Sequence, residues 1–162
     1  MSACEEVDAV VGSLRLGNAT SLARLDRIPG VADCVASGLA RSAASEDWLS
    51  FERYVIAATR FPDRSMTPLL CAVLDRQLDT LNNEAIIEAL EAIADPAAVD
   101  CLEKALWWLP SWDEFGGLAV KAVWALAAIG TPDAVATLHD AAATGPVEVR
   151  RAARHKLGLE RR

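Results

Sequence analysis

The residues best suited to chemistry in this 162-residue chain lie in one short stretch, Trp107-Trp108-Leu-Pro-Ser-Trp112-Asp113-Glu114-Phe115-Gly-Gly117. It holds three of the five tryptophans, with two adjacent carboxylates and a phenylalanine behind them. Large flat side chains ringed by charge suit an interface anchor, since they offer much contact area and the polar ring fixes orientation. The chemistry expected of them is recognition. The competing use of Trp107 and Trp108 is to close a helix by packing into its neighbour. Trp124 stands apart, at a position whose counterparts elsewhere in the chain are the polar Glu88 and His155, so it is expected at the surface.

A second candidate is a set of charged positions recurring on three helical segments: Asp75, Glu103 and His139, followed by Arg76, Lys104 and Asp140, with Asp100 and Asp133 nearby. The set leans acidic and would draw in a cationic partner, although a solvated helix face has the same composition. Catalytic constellations are missing from the chain. His139 and His155 are the two histidines, and neither has a second ligand at metal-binding spacing. The sequence contains no HExxH, phosphate-binding glycine loop, GxGxxG or GxSxG. No catalytic residue, metal or cofactor is therefore assigned, and the expectation is a protein that is not an enzyme.

Net charge is −7 and unevenly spread, with −11 over residues 1–145 and +4 over 146–162. The acidic body disfavours nucleic acid, leaving Arg150, Arg151, Arg154 and Lys156 as the sole support for that alternative. A basic final helix also offsets its own macrodipole. No apolar run approaches the length of a membrane span, and the acidic start, MSACEEVDAV, is unlike a signal peptide. A cytoplasmic location is expected. Cys4, Cys34, Cys71 and Cys101 form no CxxC and are expected to act as small core side chains. Asn18-Ala19-Thr20 fits a glycosylation acceptor, without meaning in a chain that is not secreted.

The elements that would position these residues repeat. Three segments open with Thr or Asp followed by Pro, at Thr67-Pro68, Asp95-Pro96 and Thr131-Pro132. The first side chain can cap a helix, and proline at the next position has no N–H to leave unpaired. Apolar residues follow at Cys71/Leu74/Leu78, Val99/Leu102/Leu106 and Val135/Leu138/Ala142, one helical face each. A second amphipathic helix precedes each: Ala85-Ile86, Ala89-Leu90 and Ile93 recur 36 residues on as Lys121-Ala122, Ala125-Leu126 and Ile129, and a further copy begins at Val149.

The stretch Ala122 to Gly158, with its Ile129-Gly130-Thr131-Pro132 stop and restart, resembles the HEAT repeats of the phycobilin-lyase type. The resemblance implies an all-α solenoid of about three to four antiparallel helix pairs with capping helices, forming one domain over 1–162. Clear repeats cover 47–158, and 1–46 is an N-terminal cap or degenerate repeat, with 4–16 and 146–158 closing the ends of the core. It also implies that the helices bearing Asp75, Asp100, Glu103, His139 and Asp140 line a concave side, and that the Trp-rich insertion projects from one edge. The expected function is a non-catalytic protein-binding scaffold with a basic partner, of which an immunity or antitoxin-like protein is one form. The alternatives are a bilin lyase or tetrapyrrole-binding chaperone, and a nucleic-acid-binding repeat protein.

Overall fold

The computed structural model describes residues 1–15 and 19–160; Leu16, Asn18 of the glycosylation motif and the two terminal arginines lie outside them. The described residues form helices and no strand. The α-helices are α1 (Ala3–Gly12), α2 (Ala19–Ala23), α3 (Val31–Ala44), α4 (Trp48–Arg60), α5 (Thr67–Asp75), α6 (Asn83–Ile93), α7 (Val99–Trp107), α8 (Gly117–Ile129), α9 (Pro132–Thr144) and α10 (Val147–Lys156). They alternate between two layers. Helices α4, α6, α8 and α10 pack on one another in that order, while α3, α5, α7 and α9 lie against them as the second layer.

Packing follows the apolar periodicity. Leu74, Leu102 and Leu138 are all buried, as are Ile86, Ala89 and Leu90 on α6 and Ala122, Ala125 and Leu126 on α8. Alanine at these positions removes side-chain bulk between neighbouring helices and lets α6 and α8 approach closely. The buried residues of all the pairs form one continuous cluster, from Val7 on α1 to Ala153 on α10.

One of the three Thr/Asp-Pro starts differs from the expectation. Thr131 caps α9 by accepting from the Ala134 N–H at 3.4 Å, and Asp95 caps the 3-10 turn Pro96–Ala98 that leads into α7. Thr67 does not cap α5. Its side chain is buried with an unpartnered hydroxyl, and Asp63 instead caps the 3-10 turn Arg64–Met66 ahead of α5. The equivalent of Asp95 is therefore Asp63, one helical turn earlier than Thr67. A slip of four residues keeps the same face inward, so the apolar spacing does not reveal it.

The cysteines also depart from the expectation of four free core side chains. Cys4 of α1 is bonded to Cys34 of α3, and Cys71 of α5 to Cys101 of α7. Each bridge spans 30 residues of sequence, with Cα atoms 5.0 and 5.5 Å apart, and no described cysteine is free. Each pairs a buried sulfur, that of Cys34 or Cys101, with one from a half-exposed cysteine. The spacing hides this, because the partners meet only once α1 lies against α3 and α5 against α7.

The stop signals of equivalent helices are unequal. Helix α8 ends on Gly130 with φ 66°, the left-handed conformation that closes a helix. Helix α6 ends the same way on Ala94, φ 52°, where a Cβ resists that conformation. Ala94→Gly is expected to stabilise the protein by about 0.5–1 kcal/mol, the relief of strain exceeding the added freedom of the unfolded chain. A higher urea midpoint checks this. A lower midpoint would mean that the strain at Ala94 is smaller than its geometry implies.

Candidate functional site

The insertion occupies residues 108–116, between the end of α7 and the start of α8. Its conformation is held at three points. Trp108 is half-buried against the core and sits edge-on to Trp112, ring centroids 6.0 Å apart. The Trp112 indole donates from Nε1 to Asp79 Oδ1 at 3.0 Å, tying the loop to the turn that follows α5. Asp113 turns inward: its Oδ1 accepts from the Gly117 N–H at 2.9 Å and its Oδ2 from the Leu118 N–H at 3.0 Å. These are first-turn donors of α8 with no partner inside the helix, so Asp113 acts as the cap that Gly116 cannot supply.

Much of the loop still faces water, part of Trp112 included. Leu109 is 50% exposed, Trp112 48% and Phe115 79%, and Trp107 at the end of α7 is 39% exposed. With Val147 at the start of α10, these are five of the nine exposed large apolar side chains among the described residues. Leu109, Phe115 and Val147 line one open cleft of 530 Å³, together with Pro110, Pro146, Asp113, Glu114 and Glu148. The sequence reading selected the insertion but missed the wall contributed by α10. Helices α8 and α10 are neighbours in one layer, so the loops that enter them lie side by side.

The charged positions of the second candidate are spread over the second layer. Asp75, Asp100, His139 and Asp140 are exposed and Glu103 is half-buried. Asp75 is engaged by Lys104, Nζ to Oδ2 3.5 Å, so part of this acidic face is internally neutralised. Arg76 pairs with Glu46 at 3.1 Å and lies over the Trp48 ring. Among the described residues no group of histidine, cysteine and carboxylate side chains is arranged to hold a metal. Trp124 is 40% exposed, at the surface as its polar counterparts suggest.

A separate polar cluster joins the N-terminal helices. The Tyr54 hydroxyl of α4 donates to Asp8 Oδ1 of α1, and Arg41 of α3 donates to both Asp8 oxygens at 3.0 Å and to the Tyr54 oxygen at 3.2 Å. Burial, reinforced by the hydrogen bond to Asp8 and its negative charge, pushes the Tyr54 hydroxyl up to about 12. Such a phenol stays protonated and donates, which makes it a strut between helices and unsuited to act as a base or nucleophile.

The segment opening α8, with alanines facing inward, the Gly130 stop and the capped Thr131-Pro132 restart, is a complete helix–turn–helix unit. A model of the PBS lyase HEAT-like repeat matches it over residues 118–144. Over these residues the chain is similar to a PBS lyase HEAT-like repeat. The insertion borders this HEAT-like repeat directly, since Asp113 caps its first helix. HEAT-like repeats stack helix pairs into extended surfaces that bind other proteins. No curated protein matches the chain. No helix among the described residues is long and apolar enough to cross a membrane.

Proposed function

We propose that the protein is a non-catalytic scaffold that grips a basic protein partner through the Trp-rich insertion and the acidic outward positions of α5, α7 and α9. The observation that carries this reading is the concentration of exposed apolar side chains at the insertion, beside carboxylates, on a loop anchored at Trp108, Trp112 and Asp113. Exposed apolar patches rimmed by charge mark interaction sites, and a pre-set loop lowers the ordering cost of binding. An acidic body of net −11 over residues 1–145 would speed encounter with a basic partner. An immunity-like role, masking the cationic surface of a toxin, is the specific form that suits this charge. The paired cysteines suit a compartment that oxidises thiols better than the cytoplasm expected from the sequence.

The test compares affinity capture by the wild-type chain with capture by a Trp112→Ala/Glu103→Ala variant. The expected result is at least one protein with an isoelectric point above about 9 that the wild type retains and the variant loses. Retention of acidic proteins alone, or of basic proteins indifferent to both substitutions, would overturn the reading.

A further inference from the structure

We propose that the cleft between the insertion and the start of α10 receives a linear segment of a protein partner in which an apolar anchor is flanked by lysine or arginine. This rests on the scaffold reading above and narrows it to one place and one kind of sequence.

The shape of the cleft argues for a macromolecular occupant. Its volume, 530 Å³, falls within the range of small-ligand sites, about 300–1,000 Å³. A small-ligand site, however, encloses its apolar lining, whereas here Phe115 is 79% exposed, Val147 58% and Leu109 50%. Walls so open bury little of a free small molecule. They can bury a side chain that a larger partner presses into them, shielding the lining from water in the same step.

The charge of the cleft selects the flanking residues. Its charged lining is Asp113, Glu114 and Glu148, with no cation among the lining residues. Asp113 already serves the N–H groups of α8, which leaves Glu114 and Glu148 for a partner. Glu114 makes no ion pair among the described residues. Glu148 meets Arg151 at 3.3 Å, an exposed pair one turn apart of the weak kind that a ligand cation can replace. The walls are set before binding: one is fixed by Asp113 and the Trp112–Asp79 bond, the other by the packing of α10 through buried Val149 and Ala153.

The test is a titration of uniformly ¹⁵N-labelled protein with three synthetic peptides of equal length: one alternating Lys/Arg with Leu/Phe, one with every Lys/Arg changed to Glu, and one with every Leu/Phe changed to Ser. Only the first is expected to shift the amides of Leu109, Phe115, Val147 and Glu148 and the indole signal of Trp112. Both Glu114→Lys/Glu148→Lys and Leu109→Ser/Phe115→Ser, surface changes whose fold is checked by circular dichroism, are expected to weaken its binding about tenfold or more. An equal response to the anionic peptide would overturn the proposal, as would shifts confined to α5, α7 and α9. The same signals moving with protein concentration alone would assign the cleft to a second copy and overturn it too. Partner capture that persists in the Glu114→Lys/Glu148→Lys variant removes the cleft but leaves the scaffold reading standing; capture of no basic partner at all removes both.

Discussion

Replacing all four cysteines by alanine is expected to lower the free energy of unfolding by about 7 kcal/mol, near 3.5 kcal/mol for each bridge. Each bridge closes a loop of 30 residues in the unfolded chain, and the two loops share no residue, so the effects should add. Against a typical total of about 5–15 kcal/mol, that is about half or more of the stability of a domain. The second bridge has a local consequence as well. Helices α5 and α7 are nine residues each, too short to persist without tertiary support, and Cys71–Cys101 joins them directly. Their loosening would release the Asp79–Trp112 bond and with it the insertion. Urea unfolding of Cys4→Ala/Cys34→Ala, Cys71→Ala/Cys101→Ala and the fourfold variant checks the size and additivity of the losses. Trp emission should shift to the red below the main transition in the second pair alone. A fourfold variant with the wild-type midpoint, or free thiols in the unreduced, unfolded wild type, would refute the bridges as stabilising elements.

The helix pairs were readable in the sequence because three- and four-residue spacing and Thr/Asp-Pro starts are local signals, each contained within one helix and its cap. Asp95 and Thr131 cap where their types and positions require. Thr67 misled because its Thr-Pro pair imitates a cap one turn inside the true start, and a one-turn slip leaves the buried face unchanged. The insertion was readable as an interruption of the repeat, and its aromatic composition is what made it the expected contact region. What the sequence withheld depends on helices distant in the chain. The Cys4–Cys34 and Cys71–Cys101 pairings need the layer order, as does the α10 wall of the cleft. Asp113 was selected as a partner contact because it flanks the tryptophans of the insertion; both of its oxygens accept from backbone donors of α8.

Gly38→Ala is expected to destabilise the protein by about 3 kcal/mol, although alanine is the better helix former. Gly38 lies inside α3, and a Cβ there would overlap the Tyr54 ring. A freely turning ring would swing away at small cost. This one is pinned at its hydroxyl by Asp8 and Arg41, so relief of the clash dismantles the contact among α1, α3 and α4. The loss therefore combines overpacking with broken hydrogen bonds. Tyr54 is the only tyrosine in the chain, so its titration reports on the network without interference. In the wild type the phenol is raised from 10.0 to about 12, the protonated form being favoured in the folded state. The stability it confers is present below pH 10 and is lost as the pH rises toward 12. In Gly38→Ala the tyrosinate absorbance should appear at lower pH, closer to that of an exposed phenol. The decisive comparison is the same substitution in a Tyr54→Ala background, where there is no ring to strike. There Gly38→Ala should stabilise by about 0.5–1 kcal/mol through helix propensity alone. A loss of similar size in both backgrounds would place the constraint on Gly38 somewhere other than the Tyr54 ring.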